Sequence, residues 1–445
     1  MEKLLHYAWQ HKMLPAHPLV TDSGERVDVI DPGLPNNDAG PDFFNAKVRL
    51  DGVLWVGNVE IHERASDWYR HGHQHDAAYD NVVLHVCRIV DDTAHTAGGR
   101  TLPQLRLDVP KAVADNYREL LAEAAYPPCY RVIPDVPKLA VHAWLNVLAT
   151  ERLEEKTQRI NRLLEQTAGD WERTFFITLA RNFGFGVNTE AFELWARHID
   201  LSAVGKHRDN AFQVEAFFMG QAGLLDDGLV PPERRDDYFT RLKKEYSYLA
   251  HKFGLRPIDP KVWRFLRLRP QNFPHVRLAQ LTTLYSTYQT GFSRLMGATG
   301  VASIRQAFRV GVTPYWETHY TFGRPAAAHP KLLQEASLDL LLINTVAPLL
   351  FAYGRHCLDE ERCERAFTLL EQTKAERNHI TRSWAAAGVA ASNAADSQAL
   401  IRLRHNYCDT KDCLRCRFGA AYLRRPAPHP APGMDTPAGA TITTA

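Results

Sequence analysis

The sequence predicts an α/β domain at the N-terminus followed by a mostly α-helical domain. Residues 26–109 hold short alternating or continuous apolar runs bounded by turn signals, whereas from about Pro137 apolar residues recur at three- and four-residue intervals. A third observation places the chemistry: Asp42 stands at the mouth of one predicted strand and Glu60-Ile61-His62 lies on the next.

The elements follow in order. Residues 2–10 place Leu4, Leu5, Ala8 and Trp9 at helical spacing. Arg26 to Ile30 alternates and is stopped by Asp31-Pro32-Gly33, so it reads as a strand and a turn. Phe43 to Leu50 and Val53 to His62 are the next two strands, joined by Asp51-Gly52, a strong hairpin signal. Ser66 reads as the N-cap of a helix running to about Tyr79. Val82 to Cys87 is apolar almost throughout, as in a sheet covered on both faces, and Leu102 to Val109 reads as a fifth strand. Helical patterning then occupies Val141–Leu164, Phe175–Phe183, Glu190–Arg197, Gln213–Leu225, Asp237–Phe253, Ala279–Leu295, Leu332–Tyr353 and Asp359–Lys374. The reading divides the chain into 1–125, 126–424 and a Pro/Ala/Gly/Thr-rich tail, 425–445, with little means of burying itself.

The 445 residues are 45% hydrophobic and 23% charged, with net charge +2, so any nucleic-acid surface must be local. No window of eighteen apolar residues and no signal-peptide pattern is present, which points to a cytoplasmic protein without a membrane partner. Nothing in the sequence specifies an oligomeric state.

Glu60 and His62 are two apart on a strand and so project to one face. If the Asp42 strand lies beside theirs, three ligands converge, and carboxylates that hold divalent ions are what phosphodiester hydrolysis requires. Hard oxygen ligands favour Mg²⁺ or Mn²⁺. On the predicted helix, His73, Asp76 and Asp80 share a face that would supply substrate contacts or a proton shuttle. A rival reading gathers His62, His73 and Asp76 around Zn²⁺. His85, inside an apolar strand, reads as a core histidine.

Gly40-Pro41-Asp42 and Glu60-Ile61-His62, with a helix before and a helix and strand after, resemble the PD-(D/E)XK nuclease superfamily over about residues 1–110. The resemblance implies a restriction-endonuclease-like αβββαβ core with a mixed sheet, and makes Asp42 and Glu60 metal ligands. It puts His62 where the family usually has its catalytic Lys, so His62 would orient the nucleophilic water or bind metal itself. The whole chain also resembles a bacterial family known only as a domain of unknown function.

Cys408-x4-Cys413-x2-Cys416 has the spacing of ferredoxin-type iron–sulfur ligands, with a tetrahedral Zn²⁺ site as competitor. The fourth ligand is open among Cys129, Cys357, Cys363 and His405. Similarity to superfamily nucleases that staple their core with a 4Fe–4S cluster, one cysteine distant and three C-terminal, implies Cys129. Residues 256–277 carry Arg256, Lys261, Arg264, Arg267, Arg269 and Arg277 against one acid, Asp259, with Trp263, Phe265 and Phe273 between them. That pattern suits backbone neutralisation plus base stacking, with Arg264, Arg267, Arg269 and Arg277 as substrate contacts. The reading is therefore a Mg²⁺- or Mn²⁺-dependent nuclease of DNA or RNA with a 4Fe–4S or Zn²⁺ site. The alternative is a non-catalytic nucleic-acid-binding protein on a degenerate nuclease fold, which His62 in place of Lys favours.

Overall fold

Alternating apolar residues in the first hundred positions build one mixed sheet. The structure, a computed structural model, describes residues 2–426 other than 16, 37, 288–290 and 299; most of the expected tail lies outside the described residues. Helix α1 (Glu2–Gln10) precedes strands β1 (Leu19–Val20), β2 (Arg26–Asp31), β3 (Leu34–Pro35), β4 (Phe43–Leu50), β5 (Val53–Arg64), β6 (Val82–Ile89) and β7 (Gln104–Arg106). The sheet order is β1-β2-β4-β5-β6-β7, with β3 also on β4. Pairing is antiparallel from β1 to β5 and parallel from β5 through β7. Asp51 and Gly52 both have positive φ, the backbone that a tight β4–β5 hairpin demands.

The sheet is covered on both faces. Leu5 and Trp9 of α1 pack with Val59, Ile61, Leu84 and Val86 in one core cluster. Trp68, Tyr79, Val82, Ala94 and Leu102 form a second. Leu4 and Tyr7, on the other side of α1, meet Val113 of helix α3 (Lys111–Ala122) and Leu423 of the C-terminal helix Arg417–Leu423. Asn116 ties these two helices by donating to the carbonyls of Leu423 (3.2 Å) and Arg425 (2.9 Å).

The parallel β5–β6 pair requires a crossover, and here the structure departs from expectation. In place of one helix from Ser66 to Tyr79, the chain forms helix α2 (Asp67–Arg70) and two 3₁₀ turns, His73–His75 and Ala77–Tyr79. Gly72, with φ 76°, breaks the helix between them. Ser66 makes no cap; its N–H and hydroxyl donate to Asp91, both at 3.0 Å. The fifth strand shrinks to Gln104–Arg106, and β1 and β3, too short to show a period, are additional.

Residues 138–404 form a second, helical unit, whereas His405 onward belongs with residues 1–137. The division thus lies at Pro137, not near residue 125, and the C-terminal cysteines belong to the α/β unit. The helical unit includes Lys138–Gln166, Trp171–Phe183, Thr189–His198, Ala211–Gln221, Asp237–Phe253, Pro274–Ser286, Glu360–Glu371 and Ala394–Leu403. Many of these begin at an Asp or Asn whose side chain accepts from the second or third N–H, as at Asp170, Asn210, Asp236, Asp359 and Asn393. Glu335–Cys357 is long and apolar enough to cross a membrane by length and composition, and 67% of its apolar window is buried in the fold. Cys357 ends one helix and Cys363 lies on the next.

Candidate metal centre

Asp42 precedes β4, where Phe43 pairs with Val59, so Asp42 falls opposite Glu60. Gly40, with φ 106°, turns the chain into that position. The two acids are interlocked through backbone: Asp42 N–H donates to Glu60 Oε2 (3.0 Å) and Ile61 N–H donates to Asp42 Oδ2 (2.9 Å). Alternation sends Val59 and Ile61 into the core shared with α1 and Glu60 and His62 to the face crossed by the β5–β6 connection.

That connection brings two more histidines. Glu60 Oε1 lies 3.2 Å from His73 Nε2 and 3.4 Å from His62 Nε2. His62 Nε2 is 3.1 Å from His71 Nδ1. Candidate ligand atoms of His62, His71 and His73 all lie within 4.8 Å of one another. From α1, His6 Nε2 approaches Asp42 Oδ2 at 3.5 Å. Behind them, His85 Nε2 meets His62 Nδ1 (2.9 Å) and Cys87 Sγ (3.3 Å), while Gln104 Nε2 is 3.4 Å from His85 Nδ1. His85 is thus the core histidine expected, and it also orients His62, as an outer partner orients a ligand. Tyr79 stacks on His73 with ring centroids 3.8 Å apart.

The electrostatics match a site built for a cation. Burial, reinforced by the Asp42 charge, raises the Glu60 carboxyl to about 7 against the opposing contact with His73. Asp42 is raised for the same first reason, burial, opposed by His6. Burial and then the His85 and His73 rings depress His62 to about 2, and burial with His73 takes His85 to about 3. The acids therefore tend to hold protons while His62 and His85 stay neutral, and a divalent cation would reverse the first tendency and use the second. Among the described residues, buried His6 Nε2 and His73 Nε2 meet only the nearby carboxylates of Asp42 and Glu60, at 3.5 and 3.2 Å and without good hydrogen-bond geometry. Orphaned imidazole nitrogens facing carboxylate oxygens fit metal ligation. The donor set is richer in nitrogen than the sequence implied, which favours Mn²⁺ or Zn²⁺ over Mg²⁺.

Of the residues singled out from sequence, Asp42, Glu60, His62 and His73 converge. Asp76 does not: its carboxylate accepts from Ala78 N–H (2.9 Å) in the 3₁₀ turn, and without a helix it shares no face with His73. His6 and His71 join the site although sequence reasoning does not select them. His6 sits among core positions of an ordinary amphipathic helix, and His71 has no periodic relation to His62.

In the helical unit, Arg264, Arg267 and Arg269 are exposed, but Arg277 is buried. Trp263 is buried as well, its indole N–H donating to the Ala222 carbonyl at 2.8 Å, so it offers no face to a base. Arg256 and Lys261 are exposed as well, and Phe265 and Phe273 are half-buried, so burial withdraws only Trp263 and Arg277 from the aromatic–basic segment.

A second cluster of candidate ligands, four cysteines, lies in the α/β unit. Burial raises the Cys129 thiol, and the next causes are Cys416, Cys408 and Cys413, so the distant cysteine and the C-terminal three share one neighbourhood. Cys129, Cys413 and Cys416 are buried. The helix Arg417–Leu423 presses on this loop at Gly419, where a Cβ would lie 2.0 Å from the Cys413 carbonyl oxygen. Four thiols are a donor set that fits a tetrahedral soft metal or an iron–sulfur cluster.

No curated protein and no solved structure is significantly similar to the chain. The family model described as "Protein of unknown function (DUF2851)" matches residues 2–379, which is most of the chain, and the protein belongs to that family.

Proposed function

We propose that this protein is a metal-dependent nuclease with a restriction-endonuclease-like core, its centre formed by Asp42, Glu60, His62, His71 and His73. The observation that carries the reading is the meeting of Asp42 and Glu60 across adjacent strands, each bonded to the other's backbone and flanked by imidazoles. The order α1, β2, β4, β5, α2, β6 agrees with an αβββαβ core, with β1 and β3 as additions. When bound, Mn²⁺ or Zn²⁺ would supply an activated water and neutralise charge on the phosphoryl group.

The protein's own groups divide the remaining work. Asp42 and Glu60 supply oxygen ligands, and the interlocked backbone contacts hold both carboxylates against rotation. His62 offers no positive charge in the place of Lys; pinned by His85 at Nδ1, it presents Nε2 to the site. Exposed Arg264, Arg267 and Arg269 are the candidates for nucleic-acid backbone contact. Cys129, Cys408, Cys413 and Cys416 would hold a 4Fe–4S cluster or Zn²⁺ and clamp the C-terminal segment, acting on stability.

A neutral His62 also favours a second reading, a non-catalytic nucleic-acid-binding protein on the same fold. Cleavage of single- and double-stranded DNA and RNA with Mn²⁺, Zn²⁺ or Mg²⁺ separates the two. The nuclease reading expects metal-dependent cleavage that falls at least about 100-fold in Asp42→Asn and Glu60→Gln. Binding without cleavage under every metal supports the second reading, and cleavage equal in wild type and both variants defeats the assigned centre.

A further inference from the structure

A small cavity in the helical unit is lined by two buried cations and no acid. It has a volume of 160 Å³ and is lined by Arg277, Lys331, Asn272, Gln280, Tyr320 and Ser337, among others, none of them Asp or Glu. Arg277 is 7% exposed and Lys331 3%. Gln271 and Gln334, both exposed, also line it and mark its opening.

Among the described residues, neither cation has a carboxylate in hydrogen-bond contact. Arg277 donates from Nη1 to Gln280 Oε1 (2.9 Å) and from Nη2 to Asn272 Oδ1 (2.7 Å), both neutral amides. Its Nε is buried without a partner, and its guanidinium lies 4.3 Å from the Phe185 ring centroid. Lys331 Nζ donates to the carbonyls of Trp316 and Glu317 (the latter 2.7 Å) and stands 4.3 Å from the Tyr320 ring centroid. Gln280 couples the two by donating from Nε2 to the Lys331 carbonyl (2.7 Å). Lys331 also adopts positive φ, 45°, an uncommon backbone for a lysine. Burial alone lowers the Arg277 guanidinium to about 10, and it lowers Lys331 against the opposing charge of Glu317.

An uncompensated buried guanidinium is costly, so buried charges are normally paired or hold a ligand. Here neutral amides orient Arg277 while leaving its charge and one N–H unmatched, beside a cavity roughly ten times larger than one water needs. Planar guanidinium donors and an ammonium point charge together suit a phosphoryl group. We propose that this cavity binds a phosphate-class oxyanion, either free or as the terminal phosphoryl group of a nucleotide or oligonucleotide. The site lies within the helical unit and does not rest on the nuclease reading.

The test uses the full-length protein and inorganic phosphate as probe, with thermal stability read at constant ionic strength against chloride. Wild type is expected to gain stability with phosphate in a saturable way. Arg277→Met and Lys331→Met should weaken the phosphate affinity about tenfold or more. Asn272→Asp supplies Arg277 with the missing carboxylate; it should melt no lower than wild type without phosphate and gain little from adding it. A titration with 5′-phosphorylated against 5′-hydroxyl oligonucleotide tells the two sources apart: preference for the phosphorylated end indicates a nucleic-acid terminus, and indifference with free phosphate bound indicates the free ion. Absence of a phosphate-dependent shift in wild type, or an undiminished shift in Asn272→Asp, overturns the proposal. Nuclease activity is not a readout here, so loss of one reading leaves the other standing.

Discussion

Glu215 illustrates at residue scale how a fully buried charge is managed when partners exist. Its carboxylate accepts from Tyr238 Oη (2.8 Å), Trp316 Nε1 (2.5 Å) and the Thr313 hydroxyl. Burial raises its pKa, and the three donors oppose the rise. A carboxyl raised in the fold binds protons more readily than in the unfolded chain. Its contribution to stability is therefore complete below the unfolded carboxyl pKa and is lost as pH rises through the folded one. Glu215→Gln can keep Oε1 for Tyr238 and Trp316 and donate to Thr313, so thermal melts should show the variant gaining on wild type as pH increases from about 4.5. Parallel melting curves at all pH values would refute this. Glu215→Ala strands three donors and should cost roughly 3 kcal/mol or more in denaturant unfolding. Arg277 is the contrasting case, oriented by amides without an acid.

At the scale of elements, the β5–β6 crossover and the cysteine loop each do by irregular backbone what a regular element could not. One continuous helix from Ser66 would have set His73 and Asp76 on a common face; the break at Gly72 lets His71 and His73 both turn toward His62. The C-terminal turn Cys413–Arg415 and the helix after it carry Cys413 and Cys416 to Cys129. Structural metal binding is folding free energy for such a loop. Cys129→Ser and Cys413→Ser are each expected to lose bound iron or zinc by elemental analysis and to lower the melting temperature. Cys357→Ser, at an exposed thiol outside that neighbourhood, should do neither. Retention of full metal content in both cluster variants would remove the assignment.

At the scale of the whole molecule, residues 138–404 are an insertion within the α/β unit, which leaves at Pro137 and resumes at His405. The two ends of the insertion are held together inside it. Arg402 donates from Nε to Glu151 (3.1 Å) and from Nη1 to Glu155 (3.0 Å), and Lys156 donates to Gln398 Oε1 (2.6 Å). A segment whose ends already meet is expected to fold alone. Residues 138–404 expressed separately should melt cooperatively with a helical circular dichroism spectrum. Truncation after Arg404 should instead remove hydrogen-exchange protection from β5 and β6 while leaving the helical unit protected. Loss of protection throughout both units would contradict the division.

Local sequence determined what local physics controls. Near-alternating burial in β4, the Asp51-Gly52 turn, and the Asp or Asn caps of helices such as Trp171–Phe183 and Asp237–Phe253 follow local sequence, because backbone preference and burial agree at those positions. The sequence placed Asp42 and Glu60 on neighbouring strands, but the Asp51-Gly52 turn alone would set Asp42 opposite Ile61; the bulge between Phe43 and Ala46, where Asn45 has positive φ, shifts the register by one and brings Glu60 opposite. Tertiary structure decided the rest. The parallel β5–β6 pairing carried His71 and His73 to the carboxylates, and α1 carried His6, contacts between residues with no shared period. Burial, which depends on every neighbouring element, withdrew Trp263 and Arg277 from the surface their composition suggested. The same long-range folding joined Cys129 to cysteines nearly three hundred positions later. Composition specifies which side chains are present, but only the packed chain decides which of them lose their water and which face each other.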